Sequence, residues 1–248
     1  VVHLYVDGLI MDGWGIELFF SELEKFYSDE NYSGSDSVEV TFRDYIMFKQ
    51  EERKSDKYRK AEEYWKEKVK DLPEAGTLPL LKSLKELDET VGMQIPCSIP
   101  IEVWNKIEKQ GKKYGVSPFA ILFSSFSYVI ARWNNEQRFL LSIPEFDIPD
   151  FHKDFYKVIG VCSSFLIYIA ENTKGKSFYQ VVADTQKQIL ELKDNNCFTG
   201  MDVVREIYKG KGVYGSDALV PLVFGIMPES SSFETNFIKG NNLSLIHI

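Results

Sequence analysis

Asp7-Gly8-Leu9-Ile10-Met11-Asp12-Gly13-Trp14-Gly15 is the stretch on which the reading of this chain turns. Apolar residues run up to it (Val1, Val2, Leu4, Val6), and a helical pattern of apolar residues runs away from it (Trp14, Ile16, Leu18, Phe19, Leu23, Phe26). Two carboxylates, with glycines beside them, therefore sit at an expected strand-to-helix turn. Carboxylates at such a turn are costly to bury without partners, so a turn that keeps two of them points to chemistry. An equally simple account makes Asp12 the N-cap of the helix, since its short side chain can accept from first-turn amides.

Working outward, a strand is expected at His3–Val6 and a helix over 13–27. Residues 28–40, rich in Ser, Asp, Asn and Gly, read as a loop. Thr41 can cap a helix through Tyr45, Met47 and Phe48. A further helix over about 55–70 carries Tyr58, Ala61, Tyr64, Trp65 and Val69 on one face, its charged residues forming a solvated face. Pro73, Gly76 and Pro79 end this helical material, and residues 71–92 read as a linker. A second pattern follows: a strand over 93–99, a helix over 102–114 ending at Gly115, and an apolar helix over 119–133 behind Ser117-Pro118. Strands are expected at 139–143, 165–170 and 219–227, with a helix from Ser177 through Ile189 and a short one over 202–208. Alternating helices and strands with a central break predict a two-lobed α/β protein.

The opening stretch resembles the active-site motif of nonribosomal peptide synthetase condensation domains, in the form used by their heterocyclization branch. The ordinary motif reads His-His-x-x-x-Asp-Gly; in that register Asp7 and Gly8 take the His positions and Asp12-Gly13 the Asp-Gly. The heterocyclization form reads Asp-x-x-x-x-Asp-x-x-Ser, which Asp7 and Asp12 match and where Gly15 replaces the Ser. Further matches follow in order. Tyr64-Trp65-Lys66, Leu72-Pro73 and Leu78-Pro79-Leu80 resemble the family's Tyr-Trp…Leu-Pro…Leu-Pro-Leu segment. Ser117-Pro118-Phe119-Ala120 opens a helix ending at Ala131-Arg132-Trp133, as in family members, and Thr199-Gly200-Met201-Asp202-Val203-Val204-Arg205-Glu206 resembles Ser-Gly-Val-x-Val-x-Arg-Glu. Pro221-Leu222-Val223-Phe224 resembles the start of Pro-Val-Val-Phe-Thr-Ser.

The resemblance implies the two-lobed chloramphenicol-acetyltransferase-like α/β fold, with the active site in a tunnel between the lobes. Residues 1–90 would be an incomplete N-terminal lobe and 91–242 a C-terminal lobe, with the beginning and the extreme end of the domain outside this chain. Leu243–Ile248 has no family counterpart, matches a translated sequencing adapter, and is set aside as read-through. In the family, carrier proteins feed phosphopantetheine arms into the tunnel, so the implied partners are carrier proteins and the adenylation domain of the same synthetase. No cofactor would be bound by the domain itself. The implied reaction joins an acyl thioester to the amine of a carrier-bound Cys, Ser or Thr; the heterocyclization branch then closes a thiazoline or oxazoline with loss of water. Such steps need positioning and proton transfer more than a protein nucleophile.

Carried over residue by residue, the candidate catalytic groups are Asp7, Asp12 and Ser163, and the candidate substrate or tunnel residues are Gly13, Cys162, Thr199 and Gly225. Asp12 falls where the family uses a structural carboxylate that pairs with an arginine. That arginine's position holds Ile148 here, so Arg132, Arg138 or Arg205 serves, or the loop is held differently. Asp7 reads first as a partner for the turn backbone and second as a proton-transfer group. Gly160-Val161-Cys162-Ser163 replaces Gly-Asp-Phe-Thr, losing the acid, and Gly225 replaces a Thr to which cyclodehydration is assigned. Cys162 and Cys197 read as buried small residues, and Thr199 as a helix cap. Two other functions compete with the heterocyclization reading: a plain condensation or acyltransferase domain, against which Gly8 counts, and a non-catalytic interaction domain that kept the fold, which Gly15, Ile148, Val161 and Gly225 favour.

Composition bounds the remainder. The chain has 248 residues, 44% hydrophobic and 27% charged, with a net charge of −8, so nothing in its charge points to nucleic acid. No apolar run approaches the roughly 20 residues of a membrane helix. Three cysteines, Cys97, Cys162 and Cys197, form no CxxC and suit a reducing, cytoplasmic setting. The histidines His3, His152 and His247 form no HxxxH pair, so no metal site is expected.

Overall fold

The computed structural model describes residues 4–34, 38–82, 86, 95, 97–134, 138–146, 151–171, 173–211 and 219–226. Among the described residues, seven α-helices and two strands follow in the order α1 (Gly13–Ser28), α2 (Phe42–Glu52), α3 (Asp56–Val69), α4 (Ile101–Tyr114), α5 (Pro118–Trp133), β1 (Phe139–Phe146), β2 (Ser163–Ala170), α6 (Phe178–Asp194) and α7 (Gly200–Lys211), with a short 3-10 helix at Phe155–Lys157 between the strands.

Local chemistry sets most of these boundaries. Asp12, Thr41, Ser55, Ser117 and Ser177 each accept a first-turn amide of the helix that follows, and Thr41 and Ser177 complete capping boxes with Asp44 and Gln180. Pro118 occupies the first helical position of α5, where its missing N–H is no loss. Gly115 ends α4 in the left-handed region at φ 67°, a conformation that only glycine adopts readily.

The core is built around β1. Its antiparallel partner is β2, in the register Phe139↔Ala170 through Phe146↔Ser163. Its other edge is taken by two separate stretches of chain laid end to end. Leu140 donates to the Glu74 carbonyl (3.2 Å) and accepts from Gly76 N (3.2 Å). Ser142 donates to the Leu222 carbonyl (2.9 Å) and accepts from Phe224 N (2.9 Å). Both edges of β1 are therefore satisfied over its buried half, as a buried strand requires. Phe123 of α5, wholly buried, packs edge-on to Tyr168 and to Phe224, and α6 adds Ile189 and Leu192. Ala61 and Trp65 of α3 and Val203 and Ile207 of α7 join the same cluster.

Several expectations are corrected. Leu4–Val6 form no strand; Tyr5 is fully exposed, and no described strand lies beside them to take their backbone bonds. Residues 95 and 97–99 have no regular structure, and the rest of the strand expected over 93–99 lies outside the described residues. The strand expected over 219–227 is reduced to the pairing at 222–224, with a bridge from Val223 to Ser142. The stretch 71–92 is not simply a linker: Leu72 and Leu78 pack against the core, and Ala75 bridges to Leu140. Helix α3 and residues 72–78 share their core with residues beyond 118. Ile148 and residues 243–248 lie outside the described residues. No single described helix is long and apolar enough to cross a membrane.

The shared core gives a direct expectation. Trp65→Ala should destabilise the protein by about 3–5 kcal/mol in urea unfolding, as an aromatic truncation in a packed core does. Glu63→Ala, two residues away on the exposed face, should stay within about 0.5 kcal/mol. Equal small effects would place α3 outside the core.

Candidate functional site

Asp12 joins the start of α1 to the segment that leads into β2. Its Oδ1 accepts from Gly15 N at 3.0 Å, which is the N-cap bond of α1. Its Oδ2 accepts from Cys162 N at 2.8 Å and from Ser163 N at 2.7 Å, at the start of β2. Its own amide donates to the Gly160 carbonyl at 3.1 Å. A carboxylate with three amide donors is in a well-satisfied, charge-assisted arrangement. Asp12 therefore caps the helix and also fixes the loop that leads into β2. The fixing uses backbone amides rather than an arginine. The three arginines considered are engaged elsewhere: Arg132 with the Tyr128 hydroxyl, Arg138 with Asp71 and Glu171, and Arg205 with Asp202.

The segment that Asp12 holds is anchored from a second direction. Trp14 Nε1 donates to the Tyr156 carbonyl at 2.8 Å. Tyr45 of α2 stacks on Phe155 with ring centroids 5.0 Å apart, and Phe48 stacks on Phe151 at 4.8 Å. Cys162 packs against this aromatic cluster. Residues 151–163 are thus pinned by α1 through hydrogen bonds and by α2 through stacked rings before β2 begins.

The sequence-derived site residues distribute as follows. Gly13 faces the Phe146 ring, and Phe146 is the register partner of Ser163. Gly225 lies against Pro144 on the far edge of β1, and Pro144 pairs with Phe165 of β2. Gly200 starts α7 directly against the Phe165 carbonyl, bringing Thr199 to the same end of the sheet. Asp12, Gly13, Cys162, Ser163, Thr199 and Gly225 are therefore gathered around the end of the β1–β2 pair. Asp7 is different: its Oδ1 accepts from Leu9 N at 2.8 Å and its carbonyl accepts from Ile10 N at 3.0 Å, closing an exposed local turn. Thr199 acts as a cap, its hydroxyl donating to Asp202 Oδ2 at 2.8 Å and accepting from Asp202 N at 3.3 Å. Ser163 is exposed, so its hydroxyl faces solvent beside a fixed backbone.

The two glycines that stand for hydroxyl residues differ physically. A Cβ on Gly15 would lie 2.8 Å from Met11 Cβ and 3.4 Å from Ile159 Cγ2, so a serine there requires its neighbours to shift. Among the described residues a Cβ on Gly225 would meet only Pro144, at 3.4 Å, which is ordinary contact. Position 225 therefore admits a Cβ beside Pro144. Cys197 is buried, and burial pushes its thiol above the usual range, which disfavours the thiolate a nucleophile needs.

Sequence reasoning missed two clusters. Asp202, 6% exposed, accepts from Arg53 as well as from Thr199 and Arg205. Thr-x-x-Asp at 199–202 carries a capping-box signal, but nothing in the sequence announces Arg53. Glu39, His152 and Asp154 bring ligand atoms within 4.8 Å of one another. His152 Nδ1 already accepts the Asp154 amide, and Lys153 and Lys157 neutralise Glu39 and Asp154, so the group is accounted for as surface ion pairing.

With this geometry in place the relationship is plain. The fold is the α/β chloramphenicol-acetyltransferase-like fold. It superimposes on the EpoB cyclization-docking bidomain of a nonribosomal peptide synthetase from Sorangium cellulosum with a TM-score of 0.78 and 28% identity, covering 89% of this chain and 44% of that one. The condensation domain family model matches residues 3–210, and the chain belongs to that family. It is 26% identical over 224 residues to bacitracin synthase 1 of Bacillus licheniformis, covering 89% of this chain and 4% of that protein. It is 25% identical over 224 residues to pyochelin synthetase PchF of Pseudomonas aeruginosa, covering 90% of this chain and 12% of that protein. The chain thus spans a small part of the length of these multidomain relatives.

Two substitutions separate the carboxylates. Asp12→Ala removes a helix cap and leaves the Cys162 and Ser163 amides unpaired, and should cost about 2–3 kcal/mol in chemical denaturation. Asp7→Ala removes one exposed turn bond and should cost less than about 1 kcal/mol. Equal costs would contradict the clamp.

Proposed function

We propose that the chain is the amide-forming part of a peptide synthetase, joining a carrier-bound acyl group to carrier-bound Cys, Ser or Thr, with ring closure weakened. The observation that carries this reading is the state of Asp12. Both of its oxygens accept backbone amides, which supports a role in framing the site. Amide formation from a thioester tolerates that, because holding two reactants together supplies most of what the reaction needs. Cyclodehydration is more demanding, since a side-chain attack must be followed by departure of a hydroxyl as water, and each transfer wants a positioned acid or base. The family's Thr is Gly225 here, which offers no side chain. Ser163, exposed at the start of β2, is the hydroxyl best placed to contribute. The partners on this reading are carrier proteins bearing phosphopantetheine arms and the adenylation domain that loads them.

The test is reconstitution of the complete parent domain with loaded carrier proteins and mass spectrometry of the product. Amide should accumulate while the dehydrated ring lags by about 10²–10⁴-fold, the usual effect of losing one proton-transfer group. Gly225→Thr, whose Cβ would sit in ordinary contact with Pro144, should raise ring formation and leave amide yield unchanged. Rapid ring formation by the unaltered protein would refute the role given to Gly225. Complete absence of amide would favour the non-catalytic interaction domain, a reading to which Gly15 and Gly225 also lend support.

A further inference from the structure

Asp202 sits in the first turn of α7 with its side chain 7% exposed. Its Oδ2 accepts from the Thr199 hydroxyl at 2.8 Å and from Thr199 N at 3.2 Å. Its Oδ1 accepts from Arg205 at 2.9 Å and from Arg53 at 2.8 Å. Thr199 and Arg205 are local to α7. Arg53 is the C-cap of α2, 149 residues away in sequence.

The two elements joined by that pair lead to the two sides of the site. Helix α2 carries Tyr45 and Phe48, whose rings stack on Phe155 and Phe151 of the segment running into Cys162 and Ser163. Helix α7 begins at Gly200, pressed so closely on β2 that a Cβ there would lie 2.3 Å from the Phe165 carbonyl. Phe165 is two residues from Ser163. We infer that Asp202 is a positioning residue, which through Arg53 locks α2 and the segment it carries against the α7–β2 junction. It thereby sets where Ser163 stands relative to Asp12 and Gly225. The inference rests on the condensation reading only for its effect on rate; the positioning itself is structural.

The chemistry of the pair separates this role from plain stability. Asp202 is buried, so its charge needs partners. Arg53 is half-exposed, at 51%, and an ion pair open to water adds little to stability. Without Arg53 the carboxylate still has Arg205 and Thr199, so the fold survives; what is lost is the link to α2 and the contact of the guanidinium with the Tyr58 ring, 5.7 Å from its centroid.

The experiment compares Arg53→Gln, Arg53→Lys and Arg205→Gln in the complete parent domain with loaded carrier proteins. Arg53→Gln should lower kcat for amide formation by about tenfold or more, as misplacement remote from the chemistry can do. KM for the carrier substrate should stay within about twofold, since a positioning role acts on the rate of the bound step and not on binding. Arg53→Lys should recover much of the rate, and Arg205→Gln, which leaves the α2 link intact, should stay within about twofold of the unaltered protein. Amide hydrogen exchange over residues 151–163 is read in the same variants, and should quicken in Arg53→Gln but not in Arg205→Gln. Unchanged kcat and exchange in Arg53→Gln, equal losses in Arg205→Gln, or a loss that simply follows Tm would each overturn the inference. If the unaltered parent makes no amide, the functional reading fails, and the exchange data alone decide the positioning claim.

Discussion

One carboxylate, that of Asp12, determines how the described parts of this molecule fit together. It accepts an amide from its own helix and two amides from residues 150 and 151 positions further along. Charge-assisted bonds of this kind are about twice as strong as neutral ones, and they are directional. The start of α1 and the start of β2 are consequently held at one distance and one angle. The aromatic stack of α2 on residues 151–155 and the Trp14 bond to Tyr156 act on the same segment. With the segment held at several points, Ser163 begins β2 from a defined place.

The sheet shows the same economy. β1 has a single full-length partner, and its second edge is closed by the short stretches 74–76 and 222–224, each contributing two backbone bonds. That arrangement draws the first half of the chain and its last described residues onto one strand. It also explains why Gly225 lies where it does: it follows directly on the stretch paired with Ser142, and the next side chain across is Pro144. A site gathered in this way depends on register, since a shift of one residue in β1 would turn every neighbour to the opposite face.

Features written locally were legible in the sequence. The helices came through because their caps are chemical: Thr41, Ser55, Ser117-Pro118, Gly115 and Ser177 are each found doing what their side chains permit. The gathering of Cys162, Ser163, Thr199 and Gly225 followed from the order of family motifs, not from any local signal. What was illegible is what depends on partners. An apolar run at Leu4–Val6 cannot be a strand without a neighbour to bond, and the run at 219–226 pairs only where Ser142 offers its edge. The core contribution of α3 was visible as an apolar face but not as a face toward β1. Arg53 carried no signal, because a long charged side chain at the end of a helix looks the same whether it meets water or a buried carboxylate.

The central claim is that Asp12 is a clamp on the backbone of Cys162 and Ser163. Residue-resolved amide hydrogen exchange at those two positions tests it most directly, comparing the unaltered protein with Asp12→Ala under conditions where both remain folded. The account predicts that both amides are protected in the unaltered protein and lose protection by about 10–100-fold in the variant, the equivalent of bonds to a charged acceptor, while the core amides of Leu166–Ala170 keep theirs. Exchange at Cys162 and Ser163 that is fast in both proteins, or slow in both, would contradict it.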